Sequence, residues 1–197
     1  MRNMIKLFLA VVIFSSLAGG LLAAVKTATQ ERIELQQLTF VKGPAIKQIM
    51  EGASNDPLAD RFKLQDGKEE RDFFVGVYDG KPQVVAFEAF GKGFQGDIGV
   101  IVGVNLQTGE LHGVGVTTHS ETPGVGSRTQ TDPAFQNQFK GLPLKDTYEV
   151  KADGGAIDAV SGATLSSRGV CQAVSNAVTI YERLKPEIKK KAEAIQS

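Results

Sequence analysis

The sequence predicts an α+β protein: an N-terminal transmembrane helix followed by a domain with a mainly antiparallel sheet and flanking helices. Residues 7–25 contain no charged side chain, which indicates a membrane span. Residues 73–118 alternate between β-rich segments and short Gly-containing turns, which predicts a meander of antiparallel strands. Residues 170–184 repeat apolar side chains at three- to four-residue spacing, as on one face of a helix.

The N-terminal apolar segment, Leu7–Val25, is long enough to cross a hydrocarbon core of roughly 30 Å as a helix. Arg2 and Lys6 precede it, which favours an N-terminus inside the cell. The alternative is a cleaved signal peptide, with the small residues 22–24 as its cleavage region. The length favours an uncleaved anchor. We therefore expect a single-pass protein of the cell inner (cytoplasmic) membrane, with its soluble domain on the extracytoplasmic side.

Small residues recur at four-residue spacing in this span, in two sets: Ser15, Gly19 and Ala23, and Ser16, Gly20 and Ala24. This spacing keeps small residues on one helical face, where another membrane helix can approach closely. The alternative is that these residue types are simply common in membrane spans. A packing face would mean that the protein has partners in its membrane.

Composition argues against several classes of function. The charge is balanced, with 22 Lys and Arg against 22 Asp and Glu, whereas a nucleic-acid-binding protein would show a basic excess. One cysteine and two histidines argue against a dedicated zinc or iron–sulfur site, so we expect no metal. Cys171 falls at an apolar position of a predicted helix and is interpreted as a buried small side chain; the alternative is a redox-active thiol.

We divide the chain into an N-terminal membrane anchor (residues 1–27), a helical stalk or linker (residues 28–70) and a C-terminal domain (residues 71–197). The pattern stays helical from residue 27 to about 62, with a break at Gly43-Pro44. From residue 73 onward the pattern is that of strands, and Asp79-Gly80 is a strong hairpin signal. Two more strands are predicted over 97–104 and 110–118.

Further elements follow the predicted meander. Asp132 and Pro133 have the pattern of an N-cap and first helical residue, which predicts a short helix through about Lys140. Residues 148–151, YEVK, are a candidate fifth strand. A long helix then begins near residue 164 and ends in a basic, polar tail.

The segment DAVSGATLSSRGV, residues 158–170, is the first candidate site, because it places small residues among hydroxyl residues just before the long helix. The free N–H groups and dipole of a helix N-terminus favour an anion. Gly162 and Ala163 would let the backbone approach a bulky group. The available hydroxyls are those of Ser161, Thr164, Ser166 and Ser167. The pattern predicts a phosphate-binding turn; the alternative is Ser/Thr capping of a helix without a ligand.

The loop HSETPGVGSR, residues 119–128, is the second candidate, because a Gly- and Pro-rich loop between a strand and a helix often lines a site. Glu121 and Thr122 offer polar groups, while Pro123 and Gly124 shape a rigid turn. The alternative is a plain surface loop.

Two weaker features lie nearby. His119 is interpreted as a structural histidine and not as a catalytic base. The glycine-rich run over residues 91–96 is interpreted as a flexible turn, although its backbone could approach a ligand.

Three segments together resemble the FMN-binding domain family. DAVSGATLSS (158–167) is similar to the family's flavinylation motif, in which a flavin transferase links FMN through its phosphate to a threonine hydroxyl. HSETPGVG (119–126) resembles the motif that lines the flavin pocket, and GKGFQGDIGVIVGV (91–104) resembles a third recurring stretch. The resemblance is greatest to G subunits of Rnf-type ion-translocating electron-transport complexes. C subunits of the sodium-pumping NADH:quinone oxidoreductase share these motifs but tend to be longer.

The resemblance implies that Thr164 holds FMN as a phosphothreonine ester. It also implies two groups of flavin-binding residues: an approach turn of Ser161, Gly162 and Ala163, and a pocket wall of Glu121, Thr122, Pro123 and Gly124. Ala159 and Ser161 stand where relatives often have Gly and Thr, but both are small, and attachment is still expected. Residues 71–197 would then be an FMN-binding domain, with no catalytic acid or base.

The resemblance further implies a membrane-anchored electron carrier in a complex that couples electron transfer between ferredoxin and NAD to translocation of Na⁺ or H⁺. Its partners would be the other membrane and redox subunits of that complex and, during maturation, a flavin transferase. Two alternatives stay open: the equivalent subunit of a sodium-pumping NADH:quinone oxidoreductase or of another extracytoplasmic electron-transfer chain, and an anchored binding module without redox activity.

Overall fold

The computed structural model describes residues 2–145 and 147–195, in two compact units that meet in sequence between residues 39 and 40. The helices are α1 (Arg2–Gln36), α2 (Gly43–Ile49), α3 (Arg128–Thr131), α4 (Pro133–Asn137) and α5 (Thr164–Ala194). The strands are β1 (Arg61–Asp66), β2 (Glu69–Tyr78), β3 (Lys81–Lys92), β4 (Asp97–Asn105) and β5 (Leu111–Thr118). A π-helical segment, Gln37–Lys42, follows α1, and a short 3₁₀ helix, Lys151–Asp153, precedes α5.

The first unit is the helix α1, in agreement with the predicted anchor. Its segment Asn3–Gln30 is long and apolar enough to cross a membrane, and its surface is not buried by any part of the chain that the structure describes. Such a surface requires lipid or a partner protein to cover it. Gly19 and Gly20 have no neighbouring side chain or backbone within 4 Å, which leaves room for another helix to approach. A partner on that face stays a prediction.

The second unit is built on a five-stranded antiparallel meander in which each strand pairs with the next, in the order β1-β2-β3-β4-β5. The predicted antiparallel meander is therefore confirmed. The hairpin between β2 and β3 turns at Asp79 and Gly80, whose φ angles are +50° and +70°. Both positive angles suit the primed turn that matches the twist of a hairpin.

Helices cover both faces of the sheet. On one face, α5 packs its apolar stripe against a cross-strand row formed by Phe73, Phe87, Val102 and Val114. The stripe of α5 is the predicted one, with Val170, Val174, Ala177, Tyr181 and Leu184 all buried. On the other face, Ala45 and Ile49 of α2 lie against the backbone of β5 and β4. The break predicted at Gly43-Pro44 is the start of α2, with Pro44 in its first turn.

Two local predictions differ from the structure. The sheet has one more strand than the predicted meander, because β1 lies within the region predicted as helical. This edge strand is largely polar, and Leu64 is its one buried residue. Residues 148–151 do not add a strand to the sheet: Val150 forms only an isolated bridge with Ile157. The loop folds back on itself through Gly154, which has a φ of +92°, and therefore satisfies its hydrogen bonds locally. The boundaries 1–27, 28–70 and 71–197 stay predictions.

Strand β3 and helix α5 come into backbone contact. A Cβ atom added at Gly91 would lie 2.0 Å from the carbonyl oxygen of Gly169 and 2.5 Å from the backbone nitrogen of Ala173. A Cβ atom added at Gly169 would in turn lie 2.9 Å from Gly93 Cα. The side-chain oxygen of Gln172 also accepts the Lys92 backbone N–H at 2.8 Å. The glycines at this crossing therefore hold the start of α5 against the end of β3. Of the 91–96 run, residues 91 and 92 belong to β3, and only residues 93–96 form a turn, closed by a hydrogen bond from the Gly93 N–H to the Gly96 carbonyl.

Replacing Gly91 with alanine should force β3 and α5 apart. We expect Gly91→Ala to lower the free energy of unfolding by roughly 2–3 kcal/mol, the usual cost of overpacking a dense contact. Gly113→Ala is the matched control, because its added Cβ would meet Ile49 at an ordinary 3.6 Å. Chemical denaturation of the full chain in detergent measures both, and equal stability of the two variants would contradict the close contact.

The single cysteine should be unreactive in the folded protein. Cys171 lies within the packed face of α5, and burial raises the pKa of its thiol to about 12. Because the thiolate is the reactive form, we expect negligible labelling by a maleimide at pH 8 until the protein is unfolded. Mass spectrometry before and after denaturation measures this, and rapid labelling of the native protein would support the alternative of a redox-active thiol.

Candidate functional site

The turn before α5 is held in place by its own backbone and by Ser167. Gly162 has a φ of +78°, a conformation that side chains other than glycine rarely adopt. The backbone N–H of Ala163 then donates to the carbonyl of Val160 at 2.9 Å. The Ser167 hydroxyl accepts the Val160 N–H at 3.0 Å and donates to the Ala163 carbonyl at 3.0 Å. Ser167 is therefore a structural residue of the turn.

The four hydroxyls near this turn are in different states. Those of Ser166 and Ser167 are buried and hydrogen-bonded to protein. Those of Ser161 and Thr164 have no hydrogen-bond partner among the residues that the structure describes, and of these two only Thr164 lines the adjacent cavity. In the described part of the chain, Thr164 thus presents the one hydroxyl of the cavity wall that has no hydrogen-bond partner.

The first turn of α5 has no side-chain cap. The residue at the N-cap position is Ala163, which has no oxygen to offer to the free N–H groups of the helix. The structure therefore argues against the alternative in which Ser or Thr merely caps this helix. Uncapped N–H groups at the positive end of a 31-residue helix are well suited to an anion such as a phosphate.

A cavity of about 330 Å³ lies beside this turn and brings all three sequence segments together. It is lined by Phe94 from the glycine-rich run, by Glu121, Thr122, Val125 and Gly126 from the second loop, and by Gly162, Ala163, Thr164, Leu165 and Ser166. The volume lies within the range of small-molecule sites. Sequence segments far apart in the chain thus form one concave surface.

Glu121 joins the three segments through hydrogen bonds. One of its carboxylate oxygens accepts the backbone N–H of Gln95 at 2.9 Å, and the other accepts the Ser166 hydroxyl at 2.5 Å. The side chain is only 4% exposed. A Cβ atom added at Gly126 would lie 2.6 Å from the Ser166 oxygen, so the loop approaches α5 as closely as a glycine allows.

The second loop is a tight turn with its start on the cavity. Thr122 lines the cavity and accepts a hydrogen bond from the Gln95 side chain at 3.0 Å. Pro123 and Gly124 are exposed in the turn itself, outside the lining, with Gly124 at a φ of +73°. The wall continues instead with Gly126 and with Val125, which a Cβ atom added at Gly162 would meet at 4.0 Å.

His119 supports this loop, as the interpretation of a structural histidine expects. Its Nδ1 atom accepts the backbone N–H of Glu121 at 3.3 Å, and its Nε2 atom lies 3.2 Å from Gln130 Oε1. Acceptance at Nδ1 places the proton on Nε2, which then donates to Gln130. Both ring nitrogens are used within the loop, so neither faces a substrate.

Three apolar residues of the site were not predicted from the sequence. Phe94, Val125 and Leu165 line the cavity, yet they are 64%, 42% and 46% exposed. Large apolar side chains cost free energy when they face water, so their grouping indicates a surface that a flat apolar group covers. All three lie within or beside the motifs, which is the only sequence signal that could have identified them.

The residues present fit an FMN group and do not suggest a metal. The uncapped helix N-terminus would suit the phosphate, the exposed apolar side chains would suit the tricyclic ring, and the unpartnered Thr164 hydroxyl lies on the same wall. In the described parts of the chain no group of three His, Cys, Asp or Glu side chains could hold a metal ion.

The FMN-binding domain family matches residues 93–179, which contain the whole cavity. Over longer spans the chain is similar to two proteins that are each named as the G subunit of an ion-translocating oxidoreductase complex. The one from Methanosarcina acetivorans is 36% identical, covering 90% of this chain and 94% of that protein. The one from Shewanella oneidensis is 33% identical, covering 94% of this chain and 92% of that protein.

Solved structures show the same fold. NqrC of Shewanella oneidensis matches with a TM-score of 0.51 and 28% identity, covering 68% of this chain and 72% of that one. The C subunit of the Na⁺-translocating NADH-quinone reductase from Parabacteroides distasonis matches with a TM-score of 0.52 and 24% identity, covering 69% and 73%. With relatives this similar over nine-tenths of its length, the chain belongs to the family of G subunits of ion-translocating oxidoreductase complexes and contains an FMN-binding domain.

Proposed function

We propose that this protein is a membrane-anchored electron-carrier subunit of an ion-translocating oxidoreductase complex, with FMN attached covalently to Thr164. The observation that carries the proposal is the Thr164 hydroxyl: it has no partner among the described residues, lines the cavity and lies in the uncapped first turn of α5. Membership of the G-subunit family supports FMN as the cofactor and an ion-translocating oxidoreductase complex as the assembly.

The attachment forms one bond and breaks another. The hydroxyl proton of Thr164 would pass to the group that leaves the flavin phosphate as the new oxygen–phosphorus bond forms. A flavin transferase would catalyse this exchange from an activated ester of the flavin phosphate. The ester oxygen comes from Thr164, and no oxidant or reductant is required.

Bound FMN would supply the redox chemistry, since it accepts and releases electrons reversibly. The protein contributes position and electrostatics. The N–H groups of the first turn of α5 would stabilise the phosphate charge, and Phe94, Val125 and Leu165 would cover the apolar ring. An ester bond replaces a binding equilibrium, so the cofactor cannot diffuse away outside the cytoplasm. No residue need act as an acid or base.

We assign the protein to a complex that couples electron transfer between ferredoxin and NAD to translocation of Na⁺ or H⁺. The identity to the G-subunit relatives over most of the chain supports this assignment. The second candidate is the flavin subunit of a sodium-pumping NADH:quinone oxidoreductase or another extracytoplasmic chain, which the shared fold with NqrC favours. Subunits that co-purify with the tagged protein distinguish the two.

Covalent flavin should depend on Thr164. We expect the denatured wild-type protein, made together with a flavin transferase, to fluoresce on a gel, and Thr164→Val to be dark, because valine has no hydroxyl. Thr164→Ser should keep a fluorescent band. The matched control is Thr179→Val, the same change at an exposed position of α5. A fluorescent Thr164→Val band would place the attachment elsewhere, and a dark wild-type band would favour an anchored binding module.

The soluble domain should lie on the extracytoplasmic side of the inner membrane. Lys68 is exposed at the tip of the β1–β2 hairpin, and the native cysteine is buried, so Lys68→Cys introduces the one accessible thiol. We expect a membrane-impermeant maleimide to label this variant in intact spheroplasts, with wild-type protein as the unlabelled control. Labelling that requires lysis of the spheroplasts would place the domain in the cytoplasm.

A further inference from the structure

The cavity contains a buried acid without a cationic partner. Two acids elsewhere in the domain are also largely buried, and each pairs with cations: Asp66 with Arg71 at 2.8 Å and Arg183 at 2.6 Å, and Glu88 with Lys42 at 2.7 Å. Glu121 is also buried. Within the described chain, however, no lysine, arginine or histidine forms a salt bridge with it. Among the described residues, its carboxylate accepts hydrogen bonds only from the neutral groups of Gln95 and Ser166.

An unpaired buried charge is costly, and the surrounding structure only partly offsets the cost. Burial removes the hydration of a carboxylate, and two hydrogen bonds together with the positive end of α5 replace part of it. Asp66 and Glu88 show that cations neutralise two of the buried acids in this fold, although one carboxylate oxygen of Asp72 is also buried without a hydrogen-bond partner among the described residues. If Glu121 only fastened the loop to α5, a neutral side chain of the same shape would make the same two contacts without that cost.

The charge of Glu121 acts on whatever occupies the cavity. The side chain lines the wall and is buried, so its field is screened less than that of an exposed acid. No cation within the described chain pairs with the carboxylate to cancel this field. A negative charge beside a redox group makes the addition of an electron less favourable, because the added charge has the same sign.

We propose that the Glu121 carboxylate lowers the reduction potential of the flavin held in this cavity. This inference rests on the proposed function, and it gives Glu121 a role beyond that of a wall residue. The hydrogen bonds from Gln95 and Ser166 hold the charge at a fixed place, and the short bond to Ser166 links it to the same helical turn that carries Thr164. The charge and the attachment point are therefore held in one rigid arrangement.

The test is the midpoint potential of the covalently bound flavin in full-length protein made with a flavin transferase. Glu121→Gln keeps the shape and removes the charge: its oxygen still accepts the Gln95 N–H, and its amide donates to Ser166. We expect a higher midpoint potential than in the wild type, measured on the fraction of the variant that carries flavin. Glu182→Gln is the matched control, because it makes the same charge change at an exposed site. Glu182 lies about 24 Å along α5 from Ser166, at 1.5 Å per residue.

A second variant removes the charge with a different neutral side chain. Glu121→Met nearly keeps the volume of the side chain and has no charge, so it should raise the potential in the same direction as Glu121→Gln. If Glu121→Gln incorporates no flavin, Glu121→Met decides the question. A potential at or below the wild-type value in the deciding variant overturns the proposal.

The same experiment separates the two hypotheses. A dark wild-type protein overturns the proposed function and this inference together. A fluorescent wild-type protein whose variants show no rise in potential overturns only the role assigned to Glu121. A purely structural role predicts that Glu121→Gln leaves the potential of the bound flavin unchanged.

Discussion

The backbone contact between β3 and α5 is the constraint on which the site depends. Because Gly91 and Gly93 lack side chains, the end of β3 reaches the backbone of α5 at Gly169, about one and a half turns after the helix begins. The sheet thus fixes the position of the first helical turn. Strand β3 also leads into the loop that carries Phe94 and Gln95, so the same contact places two parts of the cavity wall.

Glu121 fixes the position of the loop that follows β5. The loop from β5 could lie in many places, but its buried carboxylate binds the Gln95 backbone and the Ser166 hydroxyl at once. These hydrogen bonds close the wall around Thr164, and Gly126 allows the approach because any larger residue would collide with Ser166. A few glycines and one acid therefore hold three segments that are distant in sequence together at the site. The large apolar core only holds the sheet and α5 on which these segments lie.

Much of the fold could be predicted from the sequence, but little of the geometry within the site. The anchor, the meander, the Asp79-Gly80 hairpin and the apolar face of α5 follow from local periodicity, which is visible in a single sequence. Strand β1 was missed because the alternation in RFKLQD rests on only two apolar residues, Phe62 and Leu64, which directly follow a helical pattern. YEVK looks like a strand, although its neighbours fold back instead. The partners of Glu121 lie 26 and 45 residues away, and no local pattern encodes them.

The way the cavity is assembled has a consequence for biogenesis. Its wall is formed by residues from 94 to 166, so an unfolded or half-translocated chain contains the attachment motif but no enclosed pocket around it. On the proposed function, the cofactor can be sheltered only after the domain has reached its native topology. The fraction of chains that keep an ordered flavin then becomes a readout of folding quality. A mutation outside the cavity lining, such as one at the β3–α5 crossing, would be detected first as a maturation defect.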